Sequence, residues 1–185
     1  MSLAKLVNNR AHKVLGIDAS TNSIAFCLMD EKTPVKWGEI HFEGGDVYQR
    51  ILDAKRKIKA FKSQLDTDFV VIEAAISVKS VQTGIKMAYV FGAIMGELLS
   101  DNIKVVEVHP ITWQSYIGNK NFTKAQKLAV KNEFPGKSEN WYRAKIREIR
   151  KGKTISFARS LGIETESDNV ADAVGIAWYA VNEVV

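Results

Sequence analysis

Two rhythms of apolar residues divide this chain. In its first part, short runs rich in β-branched and aromatic residues predict strands at Lys13–Ala19, Ser23–Asp30 and Val35–Phe42. Thr21-Asn22 and Thr33-Pro34 read as the turns between them, so the three strands form an antiparallel meander. From Asp46 to Leu65 the rhythm changes: Val47, Ile51, Ala54, Ile58, Phe61 and Leu65 recur every three or four residues, which predicts an amphipathic helix. Asp68–Ala75 is a short apolar run of the kind buried on both faces of a sheet. A long helix from Val78 to Leu99 follows, with Gly84, Ala88, Gly92 and Gly96 making one narrow face for close packing. Ile103–Val108 predicts a fifth strand, and Pro110 starts a short helix after it.

The last third reads as helical. Thr123 is a natural N-cap for Lys124–Phe134, and Pro135-Gly136 breaks the chain. A basic helix is expected from Ser138 to about Lys151, interrupted at Gly152 and resumed from Thr154 to Leu161. Ser167 or Asp168 caps a final helix to about Glu183, with Val170, Ala171, Val174, Ala177, Trp178 and Val181 as its apolar positions. The order β-β-β-α-β-α-β-α plus further helices predicts one α/β domain over residues 1–185, with a basic helical segment at about 138–159.

Four acids sit awkwardly on this scaffold. Asp18 lies inside an apolar strand, Glu73 ends another, and Asp168 and Asp172 share a face of the last helix. A buried, unpaired carboxylate is costly unless a cation or a donor network compensates. Several acids able to converge on one point therefore predict a divalent metal; Mg²⁺ in particular takes carboxylates, waters and substrate phosphates. Two such ions about 4 Å apart activate water and stabilise the leaving oxygen in phosphodiester cleavage. Each acid taken alone has a plainer reading, and Asp168 competes with an ordinary capping role.

Charge adds a polymeric partner. The chain's net charge is +5, but between Asn119 and Arg159 twelve Lys or Arg face three acids, a local balance of +9 that leaves the rest at −4. Solvated helix faces usually mix both signs, so this bias points to a polyanion. Lys120, Lys124, Lys127, Arg143, Arg147, Arg150, Lys151 and Lys153 are the expected nucleic-acid contacts. Arg143, Arg147 and Arg150 share a helical face beside Trp141 and Tyr142, whose rings read first as core packing. A single cysteine, Cys27, excludes an internal disulfide and reads as a small buried hydrophobe. Three scattered histidines cannot build a zinc cluster, and no apolar run reaches the length of a membrane span or a signal sequence. A soluble, cytoplasmic protein is expected, although the basic, acid-free N-terminal stretch keeps an organellar address open.

With these residues in place, the chain resembles the RuvC-like Holliday junction resolvases of the RNase H-like superfamily. GIDASTNSIAFCLMD is similar to that family's opening Gly-Ile-Asp-Pro-Gly-Thr strand, VVIEAAI to its glutamate strand, and SDNVADAVGIAWYA to its terminal Ala-Asp-Ala helix. VHPITWQSYIGNKNFTKAQKLAV resembles its Pro-x-x-Val-Lys, Thr-Gly, Lys-x-Gln segment at Pro110, Gly118, Lys124 and Gln126. The resemblance implies a mixed five-stranded RNase H-like sheet and Mg²⁺-dependent nicking of four-way DNA junctions by a homodimer, with Mn²⁺ as a substitute ion. It assigns metal ligation to Asp18, Glu73 and Asp172, and a catalytic or phosphate-binding part to Lys124. For the fourth ligand Asp168 is favoured over Asn169, because an amide adds no charge to hold a dication. The helix from Val78 matches the family's dimer element, although its glycines fit a tight intramolecular contact equally well. Ala19-Ser20 departs from the family's Pro-Gly and alters the turn without removing the carboxylate.

Three other readings fit parts of the pattern. A nuclease of the same fold acting on flaps, forks or RNA–DNA hybrids would keep every carboxylate. A non-catalytic branched-DNA-binding protein would keep only the basic segment. A phosphate-binding domain of the sugar-kinase and actin type would share GIDASTNS but has no use for Asp172.

Overall fold

Alternation along the strands decides which side chains meet which layer. In the computed structural model, which describes residues 13–67, 69–74, 80–99 and 103–184, strands β1 (Lys13–Ala19), β2 (Ser23–Asp30) and β3 (Thr33–His41) form an antiparallel meander. Strands β4 (Phe69–Glu73) and β5 (Lys104–Val108) add to the other side of β1 in parallel. The sheet order is β3-β2-β1-β4-β5, which puts β1 at the centre. Successive side chains on a strand point to opposite faces. Leu15, Ile17, Ile24, Phe26, Val70 and Ile72 thus pack on one face under helices α1 (Val47–Lys62) and α2 (Val81–Leu98). Val14, Ala25, Cys27, Met29 and Val71 face the other layer, where helix α6 (Asp168–Glu183) lies across the sheet.

Around α6 stand α3 (Pro110–Tyr116), α4 (Lys124–Glu133) and α5 (Glu139–Ser160). Each long helix starts on the residue chemistry expected of it. Asp46, Ser80, Thr123, Ser138 and Ser167 accept a hydrogen bond from a first-turn amide, and Thr123 with Gln126 completes a capping box. Among the described residues no helix is long and apolar enough to cross a membrane.

Two local expectations need correction. Helix α5 runs unbroken through Gly152, from Glu139 to Ser160. A glycine costs an exposed helix only about 1 kcal/mol, and here Thr154 and Ala158 are buried on either side of the continuation, so tertiary packing overrides it. Thr33 and Pro34 belong to β3 rather than to the turn, which falls at Glu31-Lys32 with Glu31 at φ 52°. Pro34 is tolerated because β3 is an edge strand, and it pairs with Met29 beside a bulge at Val35 of β3. The ends expected at Asp68, Ala75 and Val78, and the basic N-terminal stretch, lie outside the described residues.

At Gly16 the sheet and α6 meet backbone against backbone. A Cβ on Gly16 would stand 2.5 Å from the Ala177 nitrogen and 2.6 Å from the Ala173 oxygen, so β1 and α6 touch with no side chain between them. On the far side of α6, a Cβ on Gly175 would stand 2.6 Å from the Trp113 ring. Backbone atoms cannot rotate away as a side chain can. Gly16→Ala should therefore lower the free energy of unfolding by about 3 kcal/mol or more, at the upper end of overpacking costs. Urea unfolding measures this, and a stability within error of the parent would mean that α6 sits farther from β1.

Candidate active site

Strand parity also places the acids. Asp18 shares a face with Val14 and Gly16, and Glu73 shares one with Val71, so both carboxylates point toward α6. Ile17 pairs with Ile72, which sets Asp18 and Glu73 side by side at the carboxyl ends of the parallel pair. That end of an open α/β sheet is where such folds place ligands. Ser167 takes the N-cap of α6, its Oγ accepting from the Val170 amide, so Asp168 is free of the capping role. Asp168 and Asp172 then face the sheet end one turn apart.

Asp18, Asp168 and Asp172 line one cleft of about 430 Å³ together with Arg143, Arg147, Arg150 and Lys151 of α5. Glu73 borders a smaller cavity of about 190 Å³ that reaches Asp18 from the α2 side. Burial, with Glu73, Asp168 and Glu39 adding repulsion, pushes Asp18 up to about 7. Burial and the charges of Asp18, Glu73 and Asp168 push Asp172 up to about 8, against the opposing pull of Lys151. Glu73 is also raised by burial, with the Trp113 indole and His109 working the other way. Cys27 is pushed up to about 12 by burial, which fits its reading as a packed hydrophobe.

Among the described residues, no three acidic, histidine or cysteine side chains are already closed around a single point. Two partners hold the acids apart: Lys151 pairs with Asp168, and the Trp113 indole N–H donates to Glu73 Oε2 at 2.7 Å. The donor set is nonetheless oxygen-only and mutually repelling, which is the chemistry that a hard divalent cation relieves. Asp18, Glu73, Asp168 and Asp172 are the residues that could hold one. Asn169 also lines the cleft, with its Nδ2 donating to Glu39 Oε1 at 3.0 Å.

The basic residues divide into groups. Arg143, Arg147, Arg150 and Lys151 reach the carboxylate cleft, whereas Lys124 and Lys127 line a second groove between α4 and α5. Lys153 stands over the Phe122 ring, 5.2 Å from its centroid, and Lys120 is exposed. Arg150 is partly committed to structure: its guanidinium donates to Gln114 Oε1 at 2.6 Å and to the Asn119 carbonyl at 3.3 Å. Tyr142 is buried and its hydroxyl donates to the Phe134 carbonyl at 2.6 Å, while Trp141 packs on Phe134.

Four residues that shape the site were not anticipated from the sequence. Glu39 on β3 accepts from Ser23 Oγ at 2.9 Å as well as from Asn169, and so ties the sheet to the start of α6. Trp113 aims Glu73, and Gln114 and Asn119 hold Arg150. For Glu39 the only available signal was its alternation along β3; for Trp113 there was none, because its partner lies 40 residues away.

No protein-family model matches the sequence, and neither does any curated protein. Solved structures do match. RuvC from T. thermophilus in complex with a Holliday junction substrate superposes with a TM-score of 0.64 at 11% identity, covering 92% of this chain and 96% of that one. A second Thermus thermophilus RuvC structure gives 0.63 at 12% identity, covering 91% and 95%. The yeast mitochondrial Holliday junction resolvase Ydc2 gives 0.55 at 11% identity, covering 96% and 82%. With its central β1, its three antiparallel strands followed by parallel ones, and nearly full-length superposition, this chain has the RuvC-like resolvase fold of the RNase H-like class.

Proposed function

We propose that this protein is a divalent-metal-dependent endonuclease that nicks branched DNA, four-way junctions above all. The observation that carries the reading is the sharing of one cleft by Asp18, Asp168 and Asp172 with Arg143 and Arg147. Repelling carboxylates beside arginines suit a phosphodiester substrate: the arginines attract the backbone and the acids await a cation. A fold neighbour in complex with a Holliday junction substrate supports the choice of branched DNA.

Asp18, Glu73, Asp168 and Asp172 would hold Mg²⁺ or Mn²⁺, two ions in all. When bound, such ions lower the pKa of an attacking water and stabilise the leaving oxygen. The chain's own residues do the rest. Trp113 holds Glu73 in place, Glu39 fixes the start of α6, and Arg143 and Arg147 orient the phosphate-bearing strand. Lys151 pairs with Asp168, and would be free to meet a phosphate if a cation took that carboxylate. Lys124 belongs to the neighbouring groove and serves as a phosphate contact.

The active form is a homodimer paired through α2. Its outer face carries Val81, Ile85 and Tyr89 at 79%, 46% and 50% exposure, and added Cβ atoms on Gly92 and Gly96 would meet nothing within 4 Å. Nothing among the described residues packs on those glycines, and a second copy could approach there closely.

Three outcomes are expected. Asp18→Asn should abolish Mg²⁺-dependent nicking across a panel of four-way, flap, fork and hybrid substrates while junction binding persists. Undiminished cleavage would sink the metal assignment, and a parent that prefers flaps or hybrids would move the substrate class. The second concerns pH. Asp18 and Asp172 bind protons more tightly folded than unfolded, so between about pH 4 and pH 8 unfolding releases protons. Stability of the metal-free protein must then fall as pH rises through that window, and Mg²⁺, which displaces those protons, must raise Tm more at the upper end. Thermal melts should show a shallower pH dependence in Asp172→Asn; an identical slope in the variant and the parent contradicts the placement of Asp172. The third is that Tyr89→Asp converts the dimer to monomer in sedimentation velocity, and a dimer that persists would place the interface elsewhere.

A further inference from the structure

The groove between α4 and α5 combines features that the carboxylate cleft lacks. It encloses about 500 Å³, within the range of sites that take nucleotide-sized ligands. Its floor is apolar. Leu128 of α4 is 57% exposed, and Ile146 faces it from α5. An exposed leucine alone is ordinary. This one lies on the same helical face as Lys124 and Lys131, in a groove that Lys127 and Arg143 also line. Among the described residues of the lining the one acid, Glu139, is paired with Lys131, and four cations face it.

We infer that this groove holds an unpaired nucleotide of the DNA strand being cut, its base lying on Leu128 and Ile146 and its phosphates meeting Lys124, Lys127 and Arg143. The inference rests on the DNA-nuclease reading above and names where the substrate must be unpaired. Arg143 and Ile146 line both this groove and the carboxylate cleft, so the two adjoin and one strand could pass from one to the other. Fully paired DNA stacks its base faces inside the helix and offers only edges and backbone. An apolar floor gains nothing from those, whereas an unpaired base presents a whole face to it. Lys131 stands over the Tyr142 ring, 5.4 Å from its centroid, and Tyr142 is pinned by Phe134, so the base meets the two aliphatic side chains rather than that ring.

Salt dependence separates the two kinds of contact. Phosphate contacts release counterions and contribute to the slope of log affinity against log salt, whereas an apolar contact shifts affinity equally at all salts. In an Asp18→Asn background, which allows binding to be read without cleavage, Leu128→Ser should weaken binding of a fluorescein-labelled oligothymidylate about tenfold at every salt concentration, with an unchanged slope. Its affinity for a fully paired duplex of equal length should stay as in the background protein. Lys127→Gln should instead lower the single-strand slope by about 0.7. Because Leu128 is exposed, the substitution leaves the core intact, and a thermal melt verifies that. Oligothymidylate affinity unaffected by Leu128→Ser, or an equal loss on duplex, overturns the groove assignment. Junction binding with no oligothymidylate binding overturns it too while sparing the nuclease reading; no binding to any DNA removes both.

Discussion

The contact between β1 and α6 is made of backbone because Gly16 has no side chain, and the candidate site exists only at that separation. Asp18 follows Gly16 by two residues on the same face of β1, and Asp172 immediately precedes Ala173, whose carbonyl lies against Gly16. The close approach that the glycine permits thus also brings these two carboxyls toward one another. Gly175 repeats the device on the next layer out. By leaving room for the Trp113 ring, it lets the indole reach Glu73 from a fully buried position. Two missing side chains hold three carboxylates in one neighbourhood.

Such closeness works against the fold. Asp18 is raised by burial and by Glu73, Asp168 and Glu39, and Asp172 by burial and by Asp18, Glu73 and Asp168, so the site is an area of electrostatic strain within an otherwise well-packed sheet. Native chains accept local strain of this kind where it serves chemistry, and compensate elsewhere. Here the compensation is visible. Lys151 pairs with Asp168, Trp113 donates to Glu73, and Glu39 links Ser23, Ser167 and Asn169 into a bracket that fixes the first turn of α6. Glu39 itself adds negative charge beside Asp18, so rigidity at the helix start comes with further repulsion at the centre.

Much of this was legible along the chain. Strand alternation at Val14, Gly16 and Asp18 specifies which face the carboxylate takes, and the four-residue spacing of Asp168 and Asp172 specifies a common helix face; both are local geometry. The resemblance of four ordered motifs to the RuvC-like family agrees with the fold that was found. Gly152 misled because propensity is a weak prior against the burial of Thr154 and Ala158. Thr33-Pro34 misled because a proline at an edge strand needs no ladder donor. Trp113, Glu39 and Asn119 stayed silent because their partners lie far away in sequence, and no periodicity encodes which buried acceptor a side chain will find. Asp168 and Asn169, the two candidates for the fourth position, are likewise held by distant contacts, Glu39 accepting from the amide and Lys151 pairing with the acid.

Helix α5 is what joins the acids to the cations, and a buried amide helps to fix its position. Asn119 is only 3% exposed and donates to the Arg150 carbonyl and to Thr154 Oγ1, at 3.0 and 2.9 Å, in the middle of α5. Arg150 answers by donating to the Asn119 carbonyl and to Gln114, so the turn after α3 and the centre of α5 hold each other through both backbone and side chain. Buried polar groups are costly unless fully paired, and a fully paired set specifies one geometry. On the N-terminal side of this clasp α5 presents Arg143 and Arg147 to the cleft; on the C-terminal side it buries Ala158 against α6. A helix continuous through Gly152 joins the clasp at Arg150 to the packing of Ala158 on α6, so both anchor the segment that carries the arginines. The continuity of α5 is therefore part of the site.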